Sequence, residues 1–285
     1  MLNLLTKYAN NSSVIENSNK VKVSLFYIPL FLLTAIFFYL YFTGALSVER
    51  YVEIQKDIFL DINSTLGQFP SLMLNLTQLG DAFIFLSFFT LLIIYAPKFW
   101  ESLISASIVS AILSKFLKVL FSVPRPAAIL DNETFIIIGK KLIGHSSLPS
   151  GHSITTFTII TVLMYAFMPQ KKISFKIAWV ILLIVFGLGV ISTRIGVGAH
   201  FPLDVINGGI IGYISGLIGI FISKNDKLWT WIGNPKYYPF FILLFVVCCA
   251  VLGIKIYKEN LLIYYLSMFS LIVSLYKIIY VYIKK

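Results

Sequence analysis

At 285 residues, 58% hydrophobic and 12% charged, with a mean hydropathy of +0.89, the chain carries about half the charged share of an average soluble domain. That excludes an ordinary water-soluble globular protein and points to one membrane-embedded, polytopic domain. The net charge of +11 does not indicate a nucleic-acid partner, because the lysines lie between apolar runs rather than in one patch; they read as topological lysines with an affinity for anionic membrane lipids.

The chain opens on a polar, asparagine-rich segment, residues 1–22, expected in the cytoplasm. The first apolar run, about 23–43, is too long for a signal-peptide core and no small-residue cleavage site follows it, so it reads as a retained transmembrane helix. The link over 44–81 contains VERYVEIQKDIFLDI, which reads as an amphipathic helix lying along the membrane surface. Seven more runs are long and apolar enough to be candidate spans: about 82–97, 102–122, 152–169, 177–193, 203–223, 239–256 and 261–283. The adjacent Cys248 and Cys249, inside one of these runs, read as small hydrophobes rather than a disulfide or a metal site. With the N-terminus inside, the inner segments hold twelve bases, Lys7, Lys98, Lys227, Lys284 and Lys285 among them, against eight outside. The bias puts both termini in the cytoplasm and the links 123–151 and 194–202 together on the opposite side.

Those two links carry the polar chemistry. In KVLFSVPRP, Lys118 and Arg125 are seven residues apart, about two helical turns, so a helix would align them on one face before Pro124 and Pro126 end it. In LPSGHS, Ser150 can cap the next helix, Gly151 lets backbone approach a ligand, and the free N–H groups of a helix start favour an anion. His152 then stands where it can give a proton beside that anion. In TRIGVGAHFPLD, Arg194 precedes His200 by six residues and Asp204 follows by four, a spacing that can put a carboxylate on one imidazole nitrogen while the other faces a substrate. Arginine forks and a lysine suit phosphate oxygens. No His, Asp or Glu cluster has a clear metal spacing, so neither a metal nor another cofactor is expected. His145 reads as a loop residue, and Lys115, one turn from Lys118, as a pairing or snorkelling lysine.

Taken together, the motifs resemble the type 2 phosphatidic acid phosphatase superfamily, whose pattern is K-x(6)-R-P, then P-S-G-H, then S-R-x(5)-H-x(3)-D. Here these are Lys118 to Pro126, Pro149 to His152 and Thr193 to Asp204, with threonine at 193 in place of serine. The resemblance covers about residues 81–223 and implies an all-α transmembrane helical bundle. Its domain would be the six helices of 23–223, followed by a two-helix extension over 224–285 outside the family core. It implies that His200 attacks phosphorus to form a phosphohistidine, that Asp204 orients His200, and that His152 protonates the leaving oxygen and then activates water. Lys118, Arg125, Ser150, Gly151 and Arg194 would hold the phosphate. The implied activity is metal-independent hydrolysis of a lipid phosphate in a bacterial inner membrane, on its extracytoplasmic face. Undecaprenyl pyrophosphate, phosphatidylglycerol phosphate, phosphatidate and lipid A phosphate all fit. The alternatives are a lipid phosphotransferase using the same site, a vanadate-dependent haloperoxidase, or a non-catalytic lipid-binding protein; the sequence does not specify an oligomer.

Overall fold

The computed structural model describes residues 2–226 and 228–284, and of residues 2–10 the backbone alone. Lys227 and Lys285, and the side chain of Lys7, which entered the charge count, lie outside what is described. Among the described residues the chain is helical without strands. Thirteen α-helices follow in order: α1 Leu2–Asn19, α2 Tyr27–Phe42, α3 Val48–Leu66, α4 Pro70–Thr77, α5 Ala82–Ser87, α6 Leu92–Tyr95, α7 Pro97–Phe121, α8 Pro126–Ile129, α9 Gly151–Ala166, α10 Ile173–Gly196, α11 Pro202–Asn225, α12 Tyr238–Glu259 and α13 Leu262–Ile283. Six helical stretches, containing α2, α7, α10, α11, α12 and α13, are long and apolar enough to cross a membrane, and α9 is a shorter apolar helix among them. The chain is an integral membrane protein, and its surface fits: Phe31, Phe42, Val119 and Phe269 are among the many large apolar side chains left exposed, as a bundle solvated by lipid requires.

α11 is the axis, mostly buried between α7 and α9. Its sequence NGGIIGYISGLIG explains why. Gly208, Gly212 and Gly216 recur every four residues on the face toward α9. A Cβ at Gly208 would lie 2.6 Å from the Ser150 carbonyl oxygen, one at Gly212 2.4 Å from that of Ile154, and one at Gly219 2.4 Å from Ala106 of α7. With little hydrophobic gain between apolar helices in lipid, small residues let backbones approach and gain dispersion contact instead. The close approach sets Ser150, at the start of α9, against the first turn of α11, where the Ser150 amide donates to the Asp204 carbonyl at 3.0 Å.

The expected span at 82–97 is not one helix. It is broken into α5 and α6 by a turn over 88–91, and α6 stops at Ala96 before Pro97 opens α7, as expected for a residue preceding proline. The stretch still passes from one end of the bundle to the other. Gly80 packs on His152 at one end, while Lys98 meets Asn11 of α1 and the Ser223 carbonyl at the C-terminal end of α11. α13 covers the broken passage and meets its polar groups: Ser270 Oγ donates to the Ser87 carbonyl at 3.0 Å, and Thr90 Oγ1 pairs with Ser274 Oγ at 2.8 Å.

A second difference concerns α3. Its amphipathic pattern is real, but the buried stripe of Tyr51, Val52, Gln55, Phe59 and Asn63 faces the protein rather than lipid. The polar members of the stripe explain the choice. Asn63 Nδ2 donates to the carbonyls of Ile136, Ile195 and Gly196, and its Oδ1 accepts from the Ile136 amide at 2.7 Å. Gln55 Oε1 accepts from the Leu203 amide at 2.7 Å. These amides satisfy loop backbone that would otherwise be buried unpaired, so α3 lies across the end of the bundle that carries the three motifs.

Candidate active site

α7 ends at Phe121, with Ser122 in the left-handed region at φ 45° closing its last turn. Lys118 therefore stands in the final turn, but Arg125 lies beyond the helix in extended backbone. The two do not share a helical face. The VPRP segment instead turns Arg125 inward, where Nη1 donates to the Ala199 carbonyl at 3.2 Å and lies 3.3 Å from His200 Nε2. Lys118 sits under the start of α9: a Cβ at Gly151 would come within 3.1 Å of its Nζ, so the glycine is what admits the ammonium to the helix N-terminus. Ser150 is fully buried, and its Oγ accepts from Ser153 Oγ at 2.9 Å and from the Ser153 amide at 3.4 Å, the N-cap geometry its position suggests.

α10 delivers Arg194 in its last turn. The chain then reverses through Gly198 at φ +74°, where a side chain would also strike the Ile136 carbonyl at 2.7 Å. The amides of Ala199 and His200 return to the Arg194 carbonyl at 3.0 and 3.2 Å, which fixes His200 beside Arg194. Arg194 is 6% exposed; its Nη1 donates to Thr77 Oγ1 at 2.6 Å, while its Nε is buried without a partner. Thr193, the departure from the family pattern, turns its hydroxyl back to the Val190 carbonyl of its own helix, so the substitution leaves the site's polar contacts untouched.

His200 is 1% exposed and Asp204 fully buried. The carboxylate does not take the direct hydrogen bond that the four-residue spacing suggests, since Nδ1 and Oδ2 are 3.7 Å apart. Three donors surround Asp204: Tyr51 hydroxyl at 2.8 Å, Ser147 hydroxyl at 2.6 Å and the Phe201 amide at 2.9 Å. Ser147 Oγ also lies 3.4 Å from His200 Nδ1, so the serine hydroxyl bridges carboxylate and imidazole. Burial first, then the charges of Arg125, Arg194 and Lys118, push the His200 imidazole well below the ordinary histidine value, so it is neutral at neutral pH. With Nε2 accepting from Arg125, the proton belongs on Nδ1, facing Ser147. Burial and the neighbouring Asp204 charge raise the Tyr51 phenol well above its usual value, so it stays a donor.

His152, on the first turn of α9, looks into two openings. One is a mouth of about 390 Å³ lined by Thr77, Gln78, Lys140, Arg194, Ala199 and Glu259 among others. The second is a cleft of about 540 Å³ running between α7 and α9 past Ser107, Ser114, Lys115, Lys118 and Thr158. Gly80 sets the position of the ring, since a Cβ there would lie 2.5 Å from His152 Cβ. Every residue singled out in the three motifs is thus brought to one end of the bundle, while His145 stays exposed in the 130–150 loop. Tyr51, Thr77, Gly80 and Ser147 escaped the sequence reading. The first three sit far from the motifs in sequence, and Ser147, three residues from Ser150, looked like exposed loop.

Three cations against one carboxylate leave the pocket with excess positive charge in low-dielectric surroundings, which a dianion restores to balance. Three known proteins or families are similar to this chain. The PAP2 superfamily model matches residues 99–228. The bacitracin transport permease protein BcrC of Bacillus licheniformis is 35% identical over 130 residues, 45% of this chain and 53% of that protein; the chain therefore spans about half the length of this curated relative. The crystal structure of Aquifex aeolicus LpxE is similar at 29% identity and a TM-score of 0.49, over 59% of this chain and 95% of that one. The stretch that resembles the PAP2 superfamily, residues 99–228, is the one that holds Lys118, Arg125, Ser150, Gly151, His152, Arg194, His200 and Asp204.

Proposed function

We propose that the protein is a metal-independent lipid phosphate phosphatase working through a phosphohistidine at His200. The observation that carries the lipid is the cleft between α7 and α9. From Lys118 to Ser107 it follows α7 for about 17 Å at 1.5 Å per residue, down the flank of a spanning helix, and it ends at His152 and Gly151. A phosphate can sit among the cations while the chain attached to it stays in the membrane. In this reading Lys118, Arg125, the orphaned Arg194 Nε and the Gly151 amide take the phosphate oxygens, and Arg125 swings from His200 Nε2 to the substrate. The freed Nε2 lone pair attacks phosphorus, forming the P–N bond as the P–O bond to the lipid breaks. Protonated His152 gives its proton to the departing oxygen. Neutral His152 then takes a proton from water, whose oxygen displaces His200 and releases inorganic phosphate. Asp204, through Ser147, holds the Nδ1 proton in place and balances the positive charge that builds on the ring.

Support for metal independence is the donor set: among the described residues no three of His, Cys, Asp and Glu come together, fewer ligands than a catalytic metal takes. The test is phosphate release by purified protein from undecaprenyl pyrophosphate, phosphatidylglycerol phosphate, phosphatidate and lipid A phosphate in detergent. At least one is expected to be hydrolysed, with turnover unchanged by EDTA and inhibited by orthovanadate. Release from none, or EDTA loss that magnesium restores, overturns the reading.

The catalytic unit is proposed to be residues 23–223, with 1–22 cytoplasmic and 224–285 an extension, both termini inside and the site on the extracytoplasmic face of a bacterial inner membrane. With the broken passage and the short α9 counted beside the six apolar stretches, eight passages would return the chain to the side it left. Ser147 is fully buried, so the reporter of sidedness is His145, which is exposed. His145→Cys, with Cys248 and Cys249 changed to alanine, is expected to react with a membrane-impermeant thiol reagent in intact spheroplasts. Labelling only after permeabilisation reverses the orientation.

A further inference from the structure

The C-terminal hairpin, α12 and α13, lies outside the family-matched residues 99–228, yet it reaches the site. α12 ends at Glu259, and Asn260 at φ 47° turns the chain into α13. The hairpin is fastened to the segment that holds the site's unmatched contacts. Asn75 Oδ1 accepts from the Ile263 amide at 3.0 Å, two residues before Thr77, the partner of Arg194. Lys255 pairs with Asp81 at 3.5 Å, beside the Gly80 that packs on His152. The Tyr264 hydroxyl donates to Glu259 Oε2. So held, Glu259 lines the mouth together with His152, Arg194 and Lys140.

Each opening is lined by two cations and one carboxylate, and the two differ in how that carboxylate is paired. The cleft between α7 and α9 presents Lys115 and Lys118, and its one carboxylate, Asp81, is paired with Lys255 and caps the Phe83 amide. The mouth presents, beside Arg194 and Lys140, a carboxylate that forms no ion pair with any other described residue, while Lys255, one turn before it, is turned to Asp81 and the Tyr264 ring. A dissolved phosphate anion entering through the mouth would meet that carboxylate, and a lipid phosphate entering along the cleft would not.

We propose that Glu259 is a specificity-determining residue, whose carboxylate weakens capture of soluble phosphate anions at the mouth and so favours substrates that reach the same pocket through the cleft. This rests on the phosphatase reading above. One charge acting across a partly hydrated opening changes affinity by about threefold to tenfold.

The experiment compares wild-type protein, Glu259→Gln and the charge-keeping Glu259→Asp. It measures KM and kcat for p-nitrophenyl phosphate, inhibition by inorganic phosphate, and turnover of a lipid phosphate in mixed micelles. Glu259→Gln is expected to lower the KM for the soluble ester and the inhibition constant of phosphate by about threefold to tenfold, an effect that shrinks as salt is added. Lipid turnover is expected to stay within about twofold, and Glu259→Asp to behave as wild type. Unchanged soluble-anion constants in Glu259→Gln, or parallel losses on soluble and lipid substrates, overturn the inference. A wild-type protein that releases phosphate from no lipid overturns the phosphatase reading instead. Glu259 is then judged by equilibrium binding of inorganic phosphate, and the inference fails if Glu259→Gln binds it no tighter.

Discussion

His200→Ala is expected to lower turnover of the lipid substrate by at least about a thousandfold, the scale on which removing a nucleophile acts. Under the proposed mechanism the loss has two sources. The nucleophilic Nε2 disappears, and Arg125 Nη1, now 3.3 Å from that nitrogen, loses the partner that holds it over the reacting position. The protein should remain folded, because the turn carrying His200 is held by backbone: the amides of Ala199 and His200 bond the Arg194 carbonyl, and Phe201 packs edge-on against Phe59 at 5.3 Å. The measurement is single-turnover phosphate release, with acid-labile, base-stable label retained on wild-type protein and absent from the variant. Near-normal turnover by a folded His200→Ala protein would sink the covalent mechanism. His152→Ala is the companion: it should be severely slowed on a lipid alcohol yet still take label from a substrate whose leaving group departs without an acid.

Asp204→Asn is expected to cost about a thousandfold to ten-thousandfold, comparable to losses at other catalytic carboxylates behind a histidine. The isosteric change alters no volume, so its effect isolates charge and hydrogen-bond polarity. The carboxylate accepts from Tyr51, Ser147 and the Phe201 amide; an amide group in its place turns an N–H toward one of these donors and leaves a buried mismatch. It also removes the negative charge that opposes Arg125, Arg194 and Lys118 as the His200 ring becomes positive. Ser147→Ala separates the two effects, since it keeps the charge and removes the bridge. It is expected to lose about tenfold to a hundredfold, less than Asp204→Asn. Equal and full activity in both variants would show that the carboxylate does not act through His200.

Much of this was readable without coordinates. Hydropathy placed most of the helices, because a spanning helix must keep about 20 residues apolar whatever surrounds it. The motif residues also stood out as candidates, because ionisable groups at the ends of apolar runs are costly to keep. Residues 82–97 passed the hydropathy test and still broke, since apolarity says nothing of a turn at 88–91 that α13 covers with Ser270 and Ser274. The amphipathic stripe of α3 was seen correctly but assigned to lipid. Period alone cannot tell a membrane face from a protein face, and only the carbonyls awaiting Gln55 and Asn63 decide it.

The sequence by itself determined the fold class, the three motifs and the residue types of the proposed phosphate site, because these depend on composition and on spacing within single segments. The tertiary structure decided how the residues meet. It placed Arg125 off the helix of Lys118, put the Ser147 hydroxyl between Asp204 and His200, and set Gly80 against His152. It also brought Tyr51, 153 positions away, onto Asp204, and Glu259 of the C-terminal hairpin to the mouth. These contacts join segments far apart in the chain, and they exist because the glycine face of α11 draws α9 close enough for the ends of the bundle to close over one point.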